Sequence, residues 1–284
     1  MREGLNGPIE WAFYINQVLD QAFGEERYPV SVVEVATMLT PKLFPQDPIT
    51  EVKGAVLPGM DGMLVRDPRR RKGWGIFFNT AVLSRRRIRF TLGHELGHYF
   101  LHRQRQPHGF RCVTREMPSQ WQELSWMEEE ADTFSALFLM PPKDFSRQVP
   151  PDQLTDLSMI SFCADRYGVS LQAAVRHWLR ITTRRAVLVV SRDGFILWSE
   201  SSPAARRSGK VFRSHRQAIE IPTDSLAAQP NITNYPKEGA LLPKGTWFPN
   251  EEIVEMAAFS EQYDYTLSLL HFDVWDVMTC KIWT

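Results

Sequence analysis

Cysteine is scarce in this chain, and charge of neither sign is in surplus. The three cysteines, Cys112, Cys163 and Cys280, are an odd number with no C-x-x-C spacing, which argues against a disulfide framework or a cysteine-built zinc site. Buried, inert thiols are the expectation. Lys plus Arg and Asp plus Glu are equal at 33 each, so the molecule as a whole has no bias toward nucleic acid. No apolar run is long enough to span a bilayer. Glu3 and Glu10 interrupt the apolar positions of Met1 to Asp20, unlike the hydrophobic region of a signal peptide. Hydrophobic content of 43% and charged content of 23% over 284 residues are ordinary for a globular chain of two or three domains. These features predict a soluble, cytoplasmic protein with no membrane partner.

Against that plain background stands His94-Glu95-Leu96-Gly97-His98. Histidines four apart lie on one face of a helix and can reach a single tetrahedral metal, while the glutamate beside the first can act on water. Ser84 is a fitting N-cap, and no proline interrupts Arg85 through His102, so one helix carries the motif. Ile88, Leu92, Leu96 and Tyr99 supply an apolar stripe at intervals of three and four. Gly93 and Gly97 each weaken the helix by about 1 kcal/mol relative to Ala, a cost that close approach of another backbone would explain. Tyr99 and His102 share the helix with the motif and are read as structural.

A catalytic zinc site with two histidines needs a third protein ligand, and the helix expected from Trp126 to Met140, ended by Pro141-Pro142, carries candidates. Its glutamates 128, 129 and 130 point about 100° apart. Glu128 shares its face with Ala131, Asp132 and Ser135, small neighbours that permit close approach, so Glu128 is the expected third ligand. Asp132, one turn on, can accept the free ring N–H of a ligating histidine. Glu129 and Glu130 read as solvated charges near a helix N-terminus.

These residues resemble the ImmA/IrrE metallopeptidases, in particular the IrrE/PprI type. Arg89-Phe90-Thr91-Leu92-Gly93-His94-Glu95-Leu96-Gly97-His98 is similar to the family's R-F-T-x-x-H-E-x-x-H block. Glu128 through Pro141 is similar to its E-x-x-A-[ND]-x-F-[AS]-A-x-L-[LM]-M-P block, with Phe138 where leucine is usual. The resemblance implies a zincin-like α+β peptidase domain with metal on His94, His98 and Glu128 and with Glu95 as base. The ion implied is Zn2+, although another divalent metal such as Mn2+ can serve in a cell, because occupancy follows supply as well as ligands. The resemblance further implies a helix-turn-helix after the peptidase domain and a GAF-like C-terminal domain.

The rest of the chain is read accordingly as 1–150 peptidase, 151–183 helix-turn-helix and 184–284 GAF-like. Glu10 to Phe23 and Ser31 to Thr40 have helical spacing, the second capped by Ser31 and stopped by Pro41. Gly62 to Arg66 and Gly75 to Phe78 read as strands joined by a loop bearing Arg69, Arg70, Arg71 and Lys72. With Arg66 and with Arg85, Arg86, Arg87 and Arg89, that loop either steers an acidic partner or is a solvated charge run. Trp74 to Phe78 is either an edge strand that pairs with extended substrate or an interior strand. Leu154 to Arg180 reads as two helices divided at Tyr167-Gly168-Val169-Ser170. Outward-facing Gln172, Arg176 and Arg180 would permit direct DNA binding, but the modest positive charge favours plain helical packing. Ala186 to Ser191 and Phe195 to Trp198 form an expected hairpin, followed by a short helix around Glu251 to Ser260 and by the segments Tyr265 to Leu270 and Val277 to Trp283.

Together these readings lead to a zinc-dependent endopeptidase whose substrate, implied by the resemblance, is an XRE-type helix-turn-helix repressor, with cleavage releasing stress or DNA-damage response genes. The rival from another class is a non-proteolytic DNA-binding or ligand-sensing regulator that uses a peptidase-like domain for partner recognition. A purely structural zinc site has no use for Glu95, which weighs for the enzyme.

Overall fold

The computed structural model describes residues 5–67, 73–106, 109–113, 125–214, 216–229, 238–261 and 263–272. Arg69 to Lys72 of the basic loop, the side chain of Cys112, Cys280, and the segment Val277 to Trp283 lie outside the described residues. The chain divides into two compact units, Met1–Pro141 with Asp165–Ser170, and Pro142–Ala164 with Leu171–Thr284.

In the first unit, helix α1 (Pro8–Phe23) buries Trp11, Ala12, Ile15 and Leu19. Ser31 caps α2 (Val32–Glu34), as its spacing predicts, by accepting from the Glu34 amide. Pro41 does not stop this helix. A π-turn (Val35–Leu39) leads into α3 (Thr40–Leu43), with Pro41 in its first turn, where a missing N–H is tolerated. The Thr40 hydroxyl donates to the Ala36 carbonyl, taking the place of the amide that Pro41 lacks.

Four strands follow the order β1-β3-β2-β4, where β1 is Ile49–Ala55, β2 Met60–Arg66, β3 Trp74–Asn79 and β4 Gly109–Val113. β1 pairs with β3 in parallel, and the other pairings are antiparallel. The structure therefore resolves the choice left open for Trp74 to Phe78. That strand is interior, flanked by β1 and β2, and the edge on the other side of β2 belongs to β4, an element that sequence periodicity did not reveal. Gly62 and Leu64 are buried on the face of β2 that meets helix α4 (Arg85–His102).

Ser84 caps α4 through the Arg87 amide, and Leu92, Leu96 and Tyr99 are buried with Ile88 half-buried. The packing of α4 on α5 (Ser125–Leu139) turns on its two glycines. A Cβ at Gly93 would lie 2.5 Å from Ser135 Oγ, and one at Gly97 would lie 3.1 Å from the Ala131 Cα and 3.2 Å from its carbonyl oxygen. The second obstacle is backbone, which cannot rotate away. Asn16 of α1 ties the outer side of α5 by donating to the Leu137 carbonyl at 3.1 Å.

The second unit carries α6 (Pro142–Gln148), α8 (Leu171–Ile181) and α9 (Pro203–Arg207). Helix α7 (Leu157–Tyr167) crosses the division between units. Gly168 follows it at φ 62°, the left-handed turn expected there, and Val169 and Cys163 are both buried. The sheet is antiparallel in the order β6-β5-β9-β8-β7, with β5 Ala186–Arg192, β6 Phe195–Ser201, β7 Ala240–Leu242, β8 Ile253–Ser260 and β9 Tyr265–His271. The helix expected around Glu251 to Ser260 is thus a strand. Its positions from Ile253 to Ala257 are all buried, because β8 lies between β9 and β7 with both faces covered. Such a strand loses the alternation that marks one exposed on one side.

One face of this sheet holds a core of Val187, Val189, Ile253, Leu270, Trp247 and Phe272. Glu255 is fully buried there. It accepts from the Leu226 and Ala227 amides, Trp247 Nε1 and Ser268 Oγ at 2.7–3.2 Å. Burial raises its pKa, and these donors oppose the rise. The carboxylate joins three separate segments of chain.

Two stability outcomes follow. Gly97→Val should cost about 2 kcal/mol or more by overpacking against α5, and Glu255→Gln should cost about 2–4 kcal/mol by turning an acceptor into a donor that faces donors. Urea unfolding of each variant reads both. Midpoints at the wild-type value would contradict the close contact in the first case and the carboxylate clasp in the second.

Candidate metal centre

The spacing of His94 and His98 on α4 aims both rings at α5, where Glu128 sits in the first turn. His94 Nε2 and His98 Nε2 are 2.9 Å apart. Glu128 Oε2 lies 3.1 Å from His94 Nε2, and Oε1 lies 3.3 Å from His98 Nε2. One ligand atom from each of the three lies within 4.8 Å of the others. Two imidazole lone pairs and a carboxylate converging in this way repel unless a proton or a cation lies among them, so the donor set fits a divalent metal. Glu129 is exposed and lies apart from the group.

Each histidine is backed by a further group. His94 Nδ1 meets Asp132 Oδ1 at 2.9 Å, as the one-turn spacing from Glu128 predicts. His98 Nδ1 meets His102 Nδ1 at 3.0 Å, and His102 Nε2 meets Glu130 Oε2 at 2.9 Å. His102 and Glu130 are thus engaged with the site, where the sequence suggests a structural histidine and a solvated charge. The signal that both are engaged is His102 at the next four-residue step after His98, together with Glu130 two residues after Glu128. Phe110 of β4 stacks on the His98 ring, with centroids 4.3 Å apart and planes at 12°.

Glu95 is fully buried beside this group, and neither carboxylate oxygen makes a well-formed hydrogen bond among the described residues. The β2 backbone closes over it: a Cβ at Gly62 would lie 3.0 Å from Glu95 Oε1 and 2.5 Å from the Thr91 methyl. Burial pushes the Glu95 carboxyl up to about 8; His94 and the Leu64 backbone favour the anion, whereas Glu128 opposes it. Burial likewise pushes His98 down to about 4 against the pull of Glu128. For Glu128 burial works upward, but hydrogen bonds and charge from the two histidines outweigh it and hold the group well below the usual carboxylate range.

Elsewhere, four of the described basic residues on or near α4 are drawn into local pairs. Arg87 meets Asp61 at 2.6 Å, Arg66 meets Asp47 at 3.7 Å, Arg86 pairs with Asp165, and Arg89 donates to the Val30 carbonyl at 2.5 Å. In the second unit, the side chains expected to face outward from α8 are turned onto the sheet. Arg176 and Arg180 meet Glu200 at 2.6 and 3.5 Å, and Gln172 accepts from the Tyr265 hydroxyl at 2.9 Å. Burying the apolar side of α8 on β5 directs these flanking polar groups to partners on β6 and β9.

Residues 51–179 match the family model described as the IrrE N-terminal-like domain, Peptidase_M78. That stretch is similar to the IrrE N-terminal-like metallopeptidase domain, in keeping with the resemblance carried by the two motif blocks. A solved structure described as a Mycobacterium tuberculosis transcriptional regulator has a similar fold, with a TM-score of 0.54 at 14% identity, covering 92% of this chain and 76% of that one. No curated protein matches the chain. Among the described residues no helix is long and apolar enough to cross a membrane.

The raised Glu95 pKa has a consequence for the metal-free protein. Folding favours the protonated carboxyl, so the stability it contributes is full below its ordinary value of 4.5 and is lost as pH rises toward 8. His98 acts in the other direction, losing stability as pH falls from 6.5 toward 4. From pH 6.5 to 8 the Glu95 effect stands alone of the two, and wild type should lose on the order of 1–2 kcal/mol relative to Glu95→Gln. Urea unfolding in chelator across that range tests this, and parallel profiles for the two proteins would refute it.

Proposed function

We propose that the first unit is a zinc-dependent endopeptidase domain that cuts an XRE-type helix-turn-helix repressor at a defined site and thereby releases stress or DNA-damage response genes. The observation that carries the reading is the convergence of His94, His98 and Glu128 next to Glu95, a buried carboxylate whose oxygens make no well-formed hydrogen bond among the described residues. A carboxylate left unpaired in a protein interior is costly, and a catalytic task accounts for keeping it.

His94 Nε2, His98 Nε2 and a Glu128 oxygen would hold the ion. When bound, a divalent metal supplies Lewis acidity toward the scissile carbonyl and toward water. Glu95 takes the proton of the attacking water on a carboxylate oxygen and delivers it to the leaving amine. Its pKa near neutrality suits both transfers, and a cation held by the three ligands would favour its anionic form. Asp132 accepts the Nδ1 proton of His94 and so keeps Nε2 free as a ligand. With β3 interior, the edge strand of the described sheet that lies beside the site is β4, whose Phe110 lies against His98, and an extended substrate would pair there. The antiparallel sheet of the second unit supports the GAF-like α+β reading. The engagement of Gln172, Arg176 and Arg180 within their own unit argues against DNA contact through those side chains.

The described name of the similar solved structure, a transcriptional regulator, favours one second reading, a non-proteolytic regulator that binds its partner without cutting it. Incubation of zinc-loaded protein with a repressor encoded beside it, read by intact mass, separates the two. Wild type should produce one discrete cut. Glu95→Gln should keep its zinc and produce none, and Glu128→Ala should lose both. A stable complex with uncut repressor would favour the second reading, and cleavage retained in Glu95→Gln would remove Glu95 as the base.

A further inference from the structure

We infer that His102 and Glu130 are positioning residues for His98, forming a carboxylate–histidine–histidine line that fixes which ring nitrogen of His98 is free to bind a metal. This rests on the metal-site reading above. His98 directs Nε2 toward His94 and Glu128, so its ring proton must sit on Nδ1 for Nε2 to offer a lone pair. Nδ1 then donates to His102 Nδ1 at 3.0 Å. A neutral His102 that accepts at Nδ1 carries its own proton on Nε2, which donates to Glu130 Oε2 at 2.9 Å. One choice of proton position therefore satisfies every contact in the line, and Glu130 at its end sets that choice.

The two proposed histidine ligands are thus served differently. His94 has its carboxylate, Asp132, in direct contact, whereas His98 reaches one only through a second imidazole. The reason is geometric: His98 lies one turn further along α4, and the position behind its ring is filled by His102. His102 is held in place by Trp126 and Phe110, with ring centroids at 5.5 and 5.8 Å, and is 1% exposed. The Glu130 side chain is 36% exposed, so it can be replaced without opening the core.

Zinc affinity, measured by competition with a chromophoric chelator, tests the line in the full chain. Wild type should bind one zinc that Glu128→Ala abolishes; failure at this step would overturn the metal-site reading itself. Given that binding, His102→Ala should weaken affinity about 10- to 100-fold, and Glu130→Ala about tenfold. Glu130→Gln, which keeps an acceptor for His102, should stay near wild type. The double alanine variant should be no weaker than His102→Ala, because removing His102 already disconnects Glu130. Nitrogen-15 imidazole spectra of wild type should place the protons on His98 Nδ1 and His102 Nε2, with the His102 assignment lost in Glu130→Ala. Wild-type affinity in both alanine variants, or additive losses in the double variant, would overturn the inference. If His102→Ala does not fold, the contrast of Glu130→Ala with Glu130→Gln and the spectra decide alone: equal affinities in that pair would sink it.

Discussion

The close approach of α4 to α5 is the constraint on which the candidate site depends. Histidines one turn apart are available on any helix, but they remain two donors unless a second helix brings a third within reach. Gly97 lies against the Ala131 backbone and Gly93 against Ser135, where a Cβ on either would collide. That contact brings the first turn of α5 to the histidine face and sets Glu128 3.1–3.3 Å from both Nε2 atoms. The same approach carries Asp132 and Glu130 in with it. The glycines weaken α4 by about 1 kcal/mol each, and the packed helix pair offsets the loss.

The electrostatics of the site follow from this packing. Burial alone would protonate the carboxylates and keep the histidines neutral. Glu128 escapes because two imidazoles face it, whereas Glu95, closed in by Gly62 of β2, does not. Two carboxylates within one small region are thereby held at opposite ends of their range. Under the proposed function, this would place an acid–base group near neutrality beside a ligand that stays ionised, the division that metal-assisted hydrolysis requires.

The second unit has its own organising contact. Glu255 sits on the core face of the sheet and gathers donors from β9, from the loop bearing Trp247, and from the turn at Leu226 and Ala227. A buried carboxylate is tolerated only when fully paired, so these segments are held to a single arrangement around it. On the opposite face, Arg176 and Arg180 of α8 close on Glu200 of β6. The side chains that most suggested nucleic acid in the sequence are occupied by their own unit.

What was legible in the sequence is what local geometry dictates. The four-residue step of His94 and His98, the Ser84 cap, the small face around Glu128 and the turn at Gly168 each follow from helix period or backbone sterics, and each is found in the structure. Element types on the second sheet were legible where turn residues bounded a short apolar run, as at β5 and β6. They were not legible at β8, where burial on both faces removes the alternation that marks a strand. Pro41 does not end its helix, as proline ordinarily would, because a π-turn and the Thr40 hydroxyl compensate for the missing amide, an arrangement no propensity encodes. Sequence by itself determined which residues could share a helix face and so nominated His94, His98, Glu95, Glu128 and Asp132. Only tertiary structure decided that β3 is interior and β4 the edge, that Gly62 buries Glu95, and that Glu130 stands behind His102. Those facts depend on which segments, distant along the chain, come to lie against one another.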